Sequence, residues 1–165
     1  MPGHRARLED FPPIPPSVER AEDWLRDAKR HLGLARRERN GDHAESVAHS
    51  CKTIEFSAKC LLTLAGRAHP RRHDVGAGME HVWRALGGKD REGVRLAKRQ
   101  IVRVGWLCDL VEPLQNISEY GYAGKAAFLL VNQTDADMYY DYGDEAQGIA
   151  RRVLGRVKDG TFQFQ

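Results

Sequence analysis

Apolar residues in this chain recur three and four positions apart, and nowhere do they alternate over the length of a strand. A period near 3.6 residues places such a stripe on one face of a helix. The first stripe is Val18, Ala21, Leu25, Ala28, Leu32 and Ala35, with Trp24 at its flank. Ser17 is a good N-cap for that helix, and Asn40-Gly41 a good stop. Asp42 caps a second helix, whose inward face is Ala44, Val47, Ala48, Cys51, Ile54, Ala58, Leu61, Leu62 and Ala65 and which Gly66 ends. A short third helix is expected from about Gly78 to Leu86, closed by Gly87-Gly88. The fourth runs from about Asp90 to Tyr120 with Val94, Ala97, Ile101, Val104, Cys108 and Val111 inward, and Pro113 should kink or divide it. Residues 120–143 read as a loop with irregular turns, and a last helix runs from about Asp144 to Lys158. The fold class is therefore all-α: an antiparallel, up-and-down bundle of four to five helices.

The 165 residues suit one domain with one core. Residues 1–17 are expected to form a peripheral, proline-rich arm, because Pro12, Pro13, Pro15 and Pro16 disfavour helix, and the bundle is assigned to 18–160. No run of about eighteen apolar residues occurs, so no membrane span is expected. The first residues carry charge without an apolar stretch, so no secretory leader is expected either. Cys51, Cys60 and Cys108 are odd in number and lack metal-type spacing, which points to buried, reduced thiols in a cytoplasmic protein. The net charge of +3 alone implies no partner. Its distribution says more: arginine dominates the first two-thirds of the chain, and residues 135–145 are acidic.

Arg91, Arg95, Arg99 and Arg103 are spaced by four, beside Lys98, on the face of the fourth helix opposite Ile101 and Val104. Like charges at that spacing repel, so the stripe costs stability unless something balances it. It either clamps phosphates through paired guanidinium hydrogen bonds, or is a solvated face paired with Glu92, Asp135, Asp137 and Asp141. His73-Asp74 reads as a tie for the loop before the third helix, or as a tautomer-setting pair for acid–base work. His69 and His73 do not make a metal site, since the loop between them holds Pro70 and arginines that repel a cation. Glu55 and Lys59 are a favourably oriented i, i+4 pair of structural character, or a polar contact across a dimer groove. Tyr120, Tyr122, Tyr139, Tyr140 and Tyr142 fit a half-buried cover over one end of the bundle, or stacking on bases. No metal and no cofactor is expected.

Several of these residues stand in an order that resembles the HEPN family. They are Trp24, Leu25, Ala28, Leu32 and Ala35, then Gly41, the stretch TIEFSAKCLLTLAG with Glu55 and Lys59, and His73-Asp74-Val75. Glu119-Tyr120 followed by Gly121-Tyr122 resembles the archaeal-type branch, companions of minimal nucleotidyltransferases. The resemblance spans about residues 18–158. It implies a bundle that forms a homodimer and works beside a small nucleotidyltransferase, or in RNA-directed defence and toxin–antitoxin systems. Catalytic members cut RNA with an R-x4-6-H motif in a late helix. The corresponding stretch here, PLQNISEYGY, has Gln115 where the arginine step would begin and contains no histidine. Such strings occur elsewhere, among them those from Arg26 to His31 and from Arg67 to His73. The expectation is a non-catalytic module binding nucleotide, RNA phosphate or a nucleotidyltransferase through Arg91, Arg95, Arg99 and Arg103. The alternatives are a ribonuclease with a displaced site around His73 and Asp74, and a protein-interaction scaffold.

Overall fold

The computed structural model describes residues 6–69, 74–120 and 126–165, with the side chains of residues 116–120 and Phe128 excepted. Among them are five α-helices: α1 (Val18–Glu38), α2 (His43–Leu64), α3 (Met79–Ala85), α4 (Arg91–Tyr120) and α5 (Gln133–Lys158). The all-α bundle expected from the spacing is the fold observed. Ser17 and Asp42 cap α1 and α2 as their sequences predict, their side chains accepting from the backbone N–H of Arg20 and Glu45.

The central helix is α2, which packs against α1, α4 and α5. Burial therefore extends beyond its apolar face to Ser46, Ser50, Thr53, Ser57 and Thr63. Their hydroxyls donate to main-chain carbonyls, mostly four residues back within α2, so the burial leaves no polar atom of theirs without a bond. Small residues let α1 lie close along α2: Ala21, Ala28 and Ala35 are fully enclosed. Cys51, Cys60 and Cys108 are buried and unbridged. Burial pushes the Cys60 thiol up to about 12 and the Cys108 thiol up as well, so both stay protonated at neutral pH.

Four expectations need correction. The span 120–143 is not all loop, because α5 begins at Gln133, more than two turns before Asp144. Asn132 and Asp135 form a reciprocal capping box there, and Ala136, Tyr139 and Gly143 carry the buried stripe back to that start. Pro113 does not divide α4, which runs as one helix through it. A two-stranded antiparallel ribbon, β1 (Leu86–Gly88) with β2 (Phe162–Phe164), closes the C-terminus onto the end of α3. Three residues per strand are too few to show alternation in sequence. Finally, the first residues are not all peripheral. Phe11 is 1% exposed and belongs to the core cluster. The segment around it pairs with the turn after α2, through Ile14 N–H to Gly66 O (2.8 Å) and Ala68 N–H to Pro12 O (2.9 Å). Gly66 allows this approach: its φ is +69°, and a Cβ there would stand 2.8 Å from the Ile14 carbonyl oxygen. No helix among the described residues is long and apolar enough to cross a membrane.

Candidate functional site

The four arginines of α4 do not share one environment. Arg103 is fixed: its Nε and Nη2 donate to the two carboxylate oxygens of Glu145 on α5, at 2.9 and 3.2 Å. Its guanidinium also lies over Trp106, 4.5 Å from the ring centroid, and near Tyr142. Arg91, Arg95 and Arg99 are exposed and have no ion pair among the described residues. Two of the acidic residues read as possible partners, Asp135 and Asp137, are engaged elsewhere. Asp137 accepts from Arg39, a hydrogen bond that holds its carboxyl below the usual range, and Asp135 caps its own helix. At four-residue spacing the three arginines rise about 6 Å apart along the helix. Leu96, between Arg95 and Arg99, and Val102 and Trp106, about one and two turns beyond Arg99, are 57%, 52% and 49% exposed. A helix in a well-packed core would bury these side chains, so this face of α4 is a free surface with interleaved cations and apolar groups.

Behind that ridge α4 and α5 run antiparallel, held by Arg103–Glu145 at one level and Arg156–Asp90 at the other. Between them lies a groove of about 380 Å³, floored by Leu96, Ala97, Val153 and Phe162 and edged by Gln100, Arg152 and Arg156. Sequence periodicity showed the α4 arginines but not this groove, because Arg152 and Phe162 come to it only through the packing of α5 and the ribbon.

Glu55 and Lys59 do form the expected pair, Nζ to Oε1 at 2.5 Å, and both are buried. Two features of it were invisible in the sequence. Gln115, 2% exposed on α4, donates to the other Glu55 oxygen at 3.3 Å. Lys59 also lies over the rings of Trp24 and Phe56, at 5.1 and 5.4 Å. Asp74 accepts from the backbone N–H of Ala6 at 2.6 Å and so ties the N-terminal segment. His73, the Arg67–His73 string and Tyr122 reach residues outside the described ones, and the side chain of Tyr120 is likewise not described. Tyr139 is buried, Tyr140 stacks under Arg39 and Tyr142 faces Trp106, all on α5 rather than in a loop.

A further polar chain was not anticipated. His31 Nδ1 and His49 Nδ1 are 2.8 Å apart between α1 and α2, and His49 Nε2 lies 3.0 Å from Glu45 Oε1. Glu45 and His49 stand four apart, a spacing that was legible; His31 is brought in by the α1–α2 contact. With the Glu45 carboxylate accepting from the Nε2–H of His49, the His49 Nδ1 is free to accept from the Nδ1–H of His31. Both rings are neutral in this arrangement. Burial pushes the His31 imidazole down to about 4, and pushes His49 down against the pull of Glu45. Unfolded chains take up the proton near 6.5, so the stability tied to neutral His31 is complete above that pH and is lost as pH falls toward 4. Urea unfolding should show about 2 kcal/mol less stability from His31 at pH 5 than at pH 7. The loss should be largely absent in His31→Phe, whose ring keeps the packing on Phe56; an equal loss in that variant would contradict the assignment. These three groups do not form a metal site: among the described residues no cluster of three His, Cys, Asp or Glu side chains is placed to hold an ion.

Five helices packed around the buried α2, with a basic face on the longest of them, α4, define an all-α helical bundle. The family model for the HEPN domain matches residues 21–159, and the chain belongs to the HEPN family. Comparison with curated proteins gave no match, and comparison with solved structures gave none.

Proposed function

We propose that this HEPN domain binds RNA through phosphate contacts on α4 and does not cleave it. The observation that carries the reading is the set of exposed Arg91, Arg95 and Arg99, unpaired among the described residues, with the half-exposed Trp106 about two turns further along the same helix. Guanidinium groups donate paired hydrogen bonds to phosphate, and an exposed indole offers a face on which a base can stack. Gln115 supports the non-catalytic part. It stands where the family's arginine step would begin, and its side chain is turned inward onto Glu55. That leaves no cation from this position to stabilise a charged phosphorane. The two-fold pairing and the nucleotidyltransferase companion implied by the resemblance belong to the same reading, with the arginine face as the contact for nucleic acid.

Titration of a single-stranded RNA at several salt concentrations tests this. Each single-strand phosphate contact contributes about 0.7 to the slope of log K against log salt. Arg95→Ala with Arg99→Ala should therefore lower the slope by about 1.4 and weaken binding most at low salt. An unchanged slope, or no binding by the parent protein at low salt, overturns the proposal. RNA cleavage by purified protein that His73→Ala abolishes would instead establish the alternative site around His73 and Asp74.

A further inference from the structure

The seam between α1 and α5 contains a polar side chain that the fold buries and leaves unused. Gln147 is 9% exposed, and its amide makes no hydrogen bond among the described residues. Buried amides are almost always paired, so one without a partner calls for an explanation. The buried hydroxyls of α2 show the usual outcome, since each donates to a carbonyl. Gln147 instead lines a groove of about 420 Å³, together with Leu25, Lys29, Arg151 and Leu154.

Ion pairs bridge the seam toward both of its ends. Lys158 holds Glu22 at one, and Arg39 holds Asp137 at the other, so α1 and α5 run antiparallel. Between those pairs Lys29 and Arg151 are exposed and have no ion pair among the described residues. Arg26 at the rim is already engaged by Asp23. The acidic residue of the lining, Glu22, is held by Lys158. Two cations therefore share one groove that has no uncommitted carboxylate, and an incoming anion relieves their repulsion.

The order of groups along the groove follows from a helical rise of about 1.5 Å per residue. On α5, Gln147 stands roughly 6 Å from Arg151 toward the Arg39 end, and Leu154 roughly 4.5 Å from it toward the Lys158 end. On α1, Leu25 stands roughly 6 Å from Lys29, also toward the Lys158 end. The groove thus presents an amide at one end, two cations in the middle and an apolar floor at the other end.

A ligand that meets all three carries an N–H, a carboxylate and an apolar branch around one centre, and the last residue of a polypeptide is such a group. In an extended residue the N–H and the C=O of that same residue point to one side. The Gln147 amide can therefore accept from the N–H through its oxygen and donate to one carboxylate oxygen through its nitrogen. The other carboxylate oxygen is left to Lys29 and Arg151, and the side chain lies on Leu25 and Leu154. An internal aspartate or glutamate fits less well, because its carboxylate stands away from its own N–H and it has no apolar branch beside it. We infer that this seam binds the C-terminus of a partner polypeptide that ends in an aliphatic residue. None of these residues belongs to α4, so the inference stands apart from the RNA reading.

Fluorescence anisotropy of short labelled peptides, titrated with the full chain, tests it. The peptides end in leucine, isoleucine, valine or aspartate, each as the free acid and as the C-terminal amide, and one further amidated peptide carries an internal glutamate. At least one aliphatic free acid should bind roughly tenfold more tightly than its amide and than the peptide ending in aspartate. Lys29→Ala with Arg151→Ala should erase the difference between acid and amide. Gln147→Leu should weaken the free acid roughly tenfold while melting at or above the temperature of the parent, because it removes a buried amide that has no partner. The inference is overturned if no free acid binds, if acid and amide bind alike, or if the peptide with the internal glutamate binds as well as the free acid. It is equally overturned if Gln147→Leu melts earlier and binds the peptide like the parent, since the amide would then serve the fold alone.

Discussion

Replacing Lys59 by methionine should destabilise the fold by about 3–5 kcal/mol, the usual cost of removing one partner of a buried ion pair. The Glu55 carboxylate, 5% exposed, would keep its hydrogen bond from Gln115 but lose the ammonium group 2.5 Å away. Methionine is close to lysine in length and fills the space under Trp24 and Phe56, so the loss reports on charge rather than on a cavity. Changing both partners, Glu55→Gln with Lys59→Met, should recover more than half of the loss, because no unbalanced charge then remains buried. Denaturant titration of the single and double variants measures both. A Lys59→Met protein within about 1 kcal/mol of the parent would mean that the pair is better solvated than its burial implies.

Phe11→Ala should cost a similar amount, about 3–5 kcal/mol, although the residue precedes the first long helix by seven positions. Its ring is 1% exposed and lies where a Cβ on Gly78 would come within 2.6 Å of it, so it fills a slot between the N-terminal segment and the start of α3. Emptying that slot removes a large apolar side chain and leaves a cavity beside Leu62. Main-chain bonds to Gly66 and Ala68 would still hold the segment, so the variant should remain folded but melt earlier. Thermal unfolding followed by circular dichroism checks this. A melting temperature unchanged within a degree would show that the segment does not contribute its ring to the core.

Both predictions concern residues whose importance was unequally visible in the sequence. Glu55 and Lys59 stand four apart on an apolar helix, and that spacing alone showed the pair. Its depth came from α4, through Gln115, and from Trp24 on α1. Phe11 sits among prolines, with no periodicity to mark it. Its burial depends on Gly66, whose left-handed turn lets the extended segment lie against the end of α2.

Helices α1, α2 and the body of α4 were legible because their apolar residues repeat at the helical period and their caps are short-range signals. The start of α5 carried its own capping box at Asn132 and Asp135, but the many acidic and tyrosine residues after it obscured the stripe through Ala136, Tyr139 and Gly143. Sequence by itself thus determined the all-α class, the inward faces and the spacing of the α4 arginines, because each depends on residues within a few turns of one another. Only the tertiary structure decided which of those arginines are engaged. Glu145 is 42 residues from Arg103 in sequence and reaches it because α5 packs back along α4. The same packing brings Arg152, Gly155 and Phe162 to the groove and His31 to His49. Contacts between distant segments follow from how helix faces meet, and local periodicity carries no record of that meeting.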